Sequence, residues 1–197
     1  MTSAAQEVTA PFTMLVVCTG NICRSPLVEQ LLRARLVAAG IQINVQSAGT
    51  RAMLGGEMTP EAAALSLHYG GVPMGHHPQQ LTAHLIAHAD VVLTANREHR
   101  SEVVSLHPRA ARYAFTLNQF ARLVAAFGSN VPPVSLRAFV AELAATRGLT
   151  PQPERPGGGD IDDPYRQPIE VYDRVGREID AAVAMIARGL ATAIGEV

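Results

Sequence analysis

The feature that most constrains this chain is an abrupt passage from a short apolar run at residues 13–17, through Cys18-Thr19-Gly20-Asn21, to a proline at position 26. The run has no polar alternation, so it reads as a strand buried on both faces. Pro26 opens a helical pattern carried by Leu27, Leu31, Leu32 and Leu36 and stopped at Gly40. A strand buried on both sides needs neighbours beside it and helices above and below it. The rest of the chain supplies them in alternation. Residues 41–46 alternate apolar and polar side chains and predict a second strand. Thr59-Pro60 starts a helix that runs to Gly70-Gly71, and Thr82 starts a short one. Residues 90–94 predict a third strand, followed by a charged helix from about Arg97. Residues 113–116 predict a fourth strand and 117–127 a helix, and a last long helix spans residues 169–190. This order predicts an α/β fold with a parallel sheet and helices on both faces.

One stretch breaks the rhythm. Residues 128–159 begin Gly-Ser-Asn-Val-Pro-Pro and end in a proline-rich segment and Gly157-Gly158-Gly159, both loop compositions. Between them Leu136, Phe139, Val140 and Leu143 share one helix face. The expectation is a helical insertion packed on a single domain spanning residues 1–197, with residues 1–11 as an N-terminal extension. The glycine run reads as a linker, placed directly before Asp160-Ile161-Asp162-Asp163-Pro164-Tyr165.

Composition excludes several classes of function. Hydrophobic residues make up 48% of the chain and charged residues 17%, which is a globular composition. Formal net charge is −1 and all 16 basic residues are arginine. A near-neutral balance argues against general electrostatic binding of nucleic acid, and the missing lysine removes Schiff-base and Walker-type chemistry. No membrane span or targeting segment is recognisable, so a cytoplasmic location is expected. The only cysteines, Cys18 and Cys23, exclude a disulfide scaffold. His84 and His88 have metal-ligand spacing, but no glutamate lies between them and no third ligand follows, so neither metal nor cofactor is expected.

The two cysteines lie in the strand-to-helix turn itself. Backbone N–H groups of such a turn converge on one point, and the helix dipole adds positive potential there. That concavity suits a tetrahedral dianion. Gly20 and Asn21 tolerate the left-handed backbone a nest requires. Cys18 would sit beneath the anion as a nucleophilic thiolate stabilised by the same N–H groups. Arg24 closes the loop and offers a bidentate fork to phosphoryl oxygens, and Ser25 can donate to the sulfur.

The loop Cys18-Thr19-Gly20-Asn21-Ile22-Cys23-Arg24-Ser25-Pro26 resembles the signature of the low-molecular-weight protein tyrosine phosphatase family at every defined position. The resemblance continues through Ser47-Ala48-Gly49-Thr50, His76, the strand at 90–94 and Asp163-Pro164-Tyr165. It implies a flavodoxin-like, three-layer fold around a four-stranded parallel sheet, with the helical insertion lying before the acid loop. It also implies hydrolysis of phosphotyrosine and aryl phosphates through a phosphocysteine on Cys18, with Arg24 stabilising the transition state. Asp163 maps to the general acid and base, with Asp162 as rival and Asp160 beside both. Asn21, Ser47 and His76 map to a cluster bracing the loop, and Cys23 to a redox partner of Cys18. The expected partner is a phosphotyrosine protein, a tyrosine kinase among the candidates, together with phosphate-like anions.

The chain departs from the family pattern around the site. Met53-Leu54 stand where an aromatic slot wall is common, Tyr165 forms the opposite wall, and Arg166 replaces a second tyrosine at the rim. Gln79 replaces an arginine, and Asn96 an acidic residue. The alternative reading is an arsenate reductase coupled to a small-molecule thiol, since the same loop binds arsenate. A third, a silent anion-binding module, sits poorly with a full set of nucleophile, arginine, serine and acid.

Overall fold

The computed structural model describes residues 11–127, 135–148 and 159–195. Residues 1–10 of the N-terminal extension lie outside the described residues, as do much of the 128–159 stretch and two glycines of its linker.

Four strands form one parallel sheet in the order β2-β1-β3-β4: β1 (Thr13–Cys18), β2 (Asn44–Gly49), β3 (Val91–Thr94) and β4 (Ala114–Thr116). This is the α/β, flavodoxin-like arrangement expected. The unpatterned apolar run of β1 is explained by its central position, since it pairs with β2 on one side and β3 on the other. Its side chains divide with the period of two that a pleated strand imposes. Met14, Val16 and Cys18 point into one core, Leu15 and Val17 into the other.

The first core is covered by α1 (Arg24–Ala38), α2 (Pro60–His68), α5 (Leu117–Phe127), α6 (Leu136–Thr146) and α7 (Ile169–Ile194). The second lies under α3 (Ala83–Ala87), α4 (Arg97–Leu106) and a 3-10 turn at Pro108–Arg112. No helix among the described residues is long and apolar enough to cross a membrane.

The last helix runs on to Ile194 rather than ending at 190, the third and fourth strands each begin one residue later than read, and two larger differences bear on the site. The second strand spans residues 44–49 rather than 41–46. Ile41 is instead drawn back to the end of α1, where its N–H donates to the Leu36 carbonyl, and sheet pairing begins only when Asn44 meets Phe12 and Thr13. Helix α1 begins at Arg24, two positions before Pro26. A proline fits there because the first-turn N–H groups have no intrahelical acceptor. Arg24 and Ser25 are therefore locked into a helical turn rather than a free loop.

The described part of the insertion, α6, packs its apolar stripe as the spacing predicts. Phe139, Val140 and Leu143 are buried, and the Phe139 ring meets Phe127 of α5 edge to face at 5.0 Å. Truncating such a buried aromatic costs about 3–5 kcal/mol. Phe139→Ala should therefore lower the unfolding free energy by about that amount in denaturant titrations, and a loss near zero would mean that α6 is not part of the cooperative core.

Candidate active site

The order β2-β1-β3-β4 places the change of crossover direction between β1 and β3, and the carboxyl ends of those strands are where open α/β sheets bind ligands. Residues 18–25 leave the end of β1 there. The segment is shaped from outside, carbonyl by carbonyl. Cys18 O accepts from Thr50 N at 2.9 Å, Thr19 O from Arg51 N at 3.0 Å and Gly20 O from Met53 N at 2.9 Å. Ile22 O accepts from Thr59 N at 2.9 Å, and Cys23 O from Leu27 N at 3.2 Å. The Asn21 carbonyl lies 2.7 Å from His76 Nε2. Because each peptide is planar and trans, a carbonyl held outward turns the next N–H inward. The N–H groups of residues 19–24 meet no protein acceptor among the described residues, and together they form a concavity of positive potential, of the shape that suits an anion.

Asn21 makes the turn possible. Its φ is +56°, and its side chain holds the strain in place. Nδ2 donates to Ser25 Oγ at 2.9 Å and to Ser47 Oγ at 2.8 Å, while Oδ1 accepts from Gln79 N at 2.9 Å. Ser47 in turn donates to the buried carboxylate of Glu29, which also pairs with Arg33 at 2.6 Å. Gln79 Nε2 donates to Ser47 O at 2.8 Å. The expected group Asn21, Ser47 and His76 is thus brought together, and Glu29 and Gln79 join it unannounced. Gly49 is required by close approach, since a Cβ there would lie 2.4 Å from Thr19 O.

Cys18 is buried at the base of the loop, with its Sγ 3.0 Å from Ser25 Oγ. Cys23 is buried too, and its Sγ lies 3.5 Å from Thr59 Oγ1 and 3.8 Å from the Tyr172 hydroxyl. Burial pushes the Cys23 thiol up from its ordinary value. It also raises Tyr172, to about 12. Neither cysteine is in a disulfide.

Arg24 links this loop to the acid segment. Its Nη2 lies 2.7 Å from Asp163 Oδ2 and its Nη1 donates to Ile161 O at 3.3 Å, while the buried Nε–H has no acceptor among the described residues. The three clustered carboxylates are separated by their partners. Asp160 pairs with Arg97 at 3.2 Å and Asp162 with Arg174 at 2.8 Å, leaving Asp163 on the site side. The segment is anchored further by Ile161 N, which donates to Ala95 O at 2.8 Å at the end of β3.

Around the mouth, Met53 packs on the loop at Gly20, and Leu54 is 67% exposed. Tyr165 follows the acid, and the Arg166 guanidinium lies 5.1 Å from the centre of its ring. His84 of α3 and His88, which caps that helix, hold their rings tilted against each other with centres 4.1 Å apart. His99 had no signal in the sequence beyond its place in a charged helix. It is buried, with Nε2 2.8 Å from Thr19 Oγ1.

A family model described as "Low molecular weight phosphotyrosine protein phosphatase" matches residues 13–132. Among curated relatives, a "Probable low molecular weight protein-tyrosine-phosphatase EpsP" of Ralstonia nicotianae is 38% identical over 107 residues, covering 54% of this chain and 71% of its own. A "Protein-arginine-phosphatase" of Bacillus subtilis is 27% identical over 177 residues, covering 90% of this chain and 95% of its own. Among solved structures, YwlE arginine phosphatase, as a cysteine-to-serine variant with a phosphorylated active-site serine, superposes with a TM-score of 0.69 at 25% identity, covering 91% of this chain and 95% of that one.

Burial, with Arg24 and Arg51 nearby and Asp163 and Asp160 opposing them, lowers His99 to about 4 from an ordinary 6.5. Between those values the unfolded chain takes up a proton that the folded chain refuses. The contribution to stability therefore rises with pH through that window and is complete above it. Wild type should lose about 2 kcal/mol more than His99→Gln between pH 7 and pH 4.5 in chemical denaturation. Parallel losses would show that His99 titrates normally in the fold.

Proposed function

The chain belongs to the low molecular weight phosphotyrosine protein phosphatase family, and we propose that it hydrolyses phosphotyrosine and aryl phosphates through a phosphocysteine on Cys18. The observation that carries this reading is the Arg24–Asp163 pair at 2.7 Å, which joins the nucleophile's loop to a carboxylate on a separate segment. In the first step the Cys18 thiolate attacks phosphorus in line. The S–P bond forms as the P–O bond to the phenol breaks, and Asp163 gives its proton to the departing oxygen. In the second step Asp163 takes a proton from water as that water attacks phosphorus. The S–P bond then breaks and returns the thiolate, which the Ser25 hydroxyl stabilises. Inward N–H groups and Arg24 hold the equatorial oxygens throughout, where negative charge gathers.

Substrate must first compete with Asp163 for Arg24. A dianion in the loop offers the guanidinium two oxygens and frees the carboxylate to face the leaving group. The acid is thereby readied by binding. Met53, Leu54 and Tyr165 form an apolar slot suited to a phenyl ring, and Arg166 on the Tyr165 face places a cation at the rim. Acidic sequence around the phosphotyrosine should be preferred, on a protein substrate such as a tyrosine kinase. We read the chain as one phosphatase domain acting in the cytoplasm, where both thiols are kept reduced.

A second reading has its own support, because a relative aligned over nine-tenths of the chain is named a protein-arginine-phosphatase. Phosphoarginine would meet the same loop and nucleophile but an apolar slot in place of carboxylates for its guanidinium. Turnover of phosphotyrosine and phosphoarginine peptides by one preparation separates the two. The expected outcome is a kcat/KM at least about tenfold higher for phosphotyrosine, or about 1.4 kcal/mol in the transition state. Thiol-dependent arsenate reduction without ester hydrolysis would instead favour the reductase alternative.

Cys18→Ser should abolish turnover. Asp163→Asn should lower kcat by about 100-fold or more, the scale of general-acid catalysis, while binding inorganic phosphate more tightly because Arg24 loses its internal competitor. If Asp162→Asn proves the damaging change, the acid is misassigned. Cys23 is proposed as the redox partner: after a peroxide converts Cys18 to a sulfenic acid, the Cys23 thiol attacks that sulfur, forming the disulfide and releasing water. Peroxide inactivation reversible by dithiothreitol in wild type, and irreversible in Cys23→Ser, is the expected pattern.

A further inference from the structure

One buried titratable side chain at the site has no part in the chemistry above. His99 lies in the first turn of α4 and is 3% exposed. Asn96, the residue that departs from the family pattern, caps that helix by accepting from the His99 backbone N–H at 2.9 Å, which fixes the imidazole's base. Nε2 lies 2.8 Å from Thr19 Oγ1, and Nδ1 is buried with no partner among the described residues.

That pattern selects one tautomer. A proton on Nδ1 would leave a buried N–H with no acceptor, whereas a proton on Nε2 leaves only a bare lone pair, the cheaper arrangement. Nε2–H therefore donates to Thr19 Oγ1. A second proton would add the same orphaned N–H, now charged, beside Arg24, and the ring stays neutral. Thr19 Oγ1 has this single partner, so its hydroxyl hydrogen has no acceptor among the described residues. The residue itself is pinned next to Cys18 by the bond from Arg51 N to its carbonyl.

We propose that His99 is a positioning residue for the anion: by donating to the Thr19 hydroxyl oxygen, it directs the Thr19 hydroxyl hydrogen onto a phosphoryl oxygen held in the loop. The inference rests on reading residues 18–25 as the phosphoryl site. It adds to the backbone nest and Arg24 a donor whose direction is set from a different strand-to-helix junction.

The test measures inorganic phosphate binding by calorimetry on the full chain, with steady-state kinetics on an aryl phosphate alongside. His99→Phe keeps the ring and removes the donor. It should weaken phosphate binding about tenfold, the scale of one hydrogen bond to a charged acceptor. KM should rise by a similar factor with kcat nearly unchanged, since the bond is made equally in ground and transition states. His99→Gln, whose amide nitrogen reaches as far as Nε2, should recover binding to within about threefold. Thr19→Val should match His99→Phe, Thr19→Ser should match wild type, and the double variant should be no weaker than either single one. Unchanged binding in Thr19→Val, additive losses in the double variant, or failure of His99→Gln to rescue a normally melting protein would each overturn the inference. Should His99→Phe not fold, the Thr19 pair decides alone. A wild-type chain that binds phosphate with this variant pattern yet hydrolyses no phosphoester would sink the phosphatase reading and leave the role of His99 standing.

Discussion

Everything at this site depends on six backbone carbonyls, those of residues 18–23, being held away from the loop's centre. Five are held by backbone N–H groups and one by an imidazole. The donors come from the segment after β2, from the start of α2, from α1 and from His76, so the nest is an impression left by the surrounding fold. A loop of this composition in isolation would have no reason to turn all its N–H groups to one side. Peptide planarity converts the outer hydrogen bonds into inner positive potential, which is how a neutral backbone becomes suited to an anion. Gly49 shows how close the surrounding layer comes, with the Thr19 carbonyl occupying the space a side chain would need.

The electrostatics follow from the same construction. Arg24 is buried at the first position of α1 and reaches the acid segment through both terminal nitrogens. Asp160 and Asp162 are taken up by Arg97 and Arg174, so of three neighbouring carboxylates only Asp163 is turned to the loop. Ile161 lies between them as a buried anchor, tied to the end of β3 and to Arg24. Nucleophile loop, acid segment and the head of α4 are thereby parts of one hydrogen-bonded body. Arginine suits the Arg24 position because its planar guanidinium bonds through several nitrogens at once.

Much of this was legible in the sequence because the signals are local. The strand–turn–helix around Cys18 has its own punctuation, and the family resemblance of residues 18–26 names Cys18, Arg24 and Ser25 outright. The bracing cluster was legible only in part. Asn21, Ser47 and His76 came from resemblance, while Glu29 and Gln79 carry no pattern of their own: one looks like a helix-face charge, the other like a loop amide. Their roles arise because α1 and the segment before α3 approach Ser47 from two sides. The shift of β2 by three residues has a similar origin, since alternation is present at 41–46 but a partner strand is available only from Asn44 onward.

His99 marks the boundary most clearly. In the sequence it is a polar residue in a charged helix with no motif around it, less conspicuous than His84 and His88 with their ligand-like spacing. In the fold it is buried against Thr19 because β3 lies beside β1, and the helix following each strand starts at the same edge of the sheet. By itself the sequence determined the fold class, the family and the strand–turn–helix segment on which the proposed chemistry rests, because these depend on residues adjacent along the chain. Which carboxylate faces the loop, what holds its carbonyls outward and which histidine touches it were decided by tertiary structure alone, because each depends on the pairing of strands far apart in sequence.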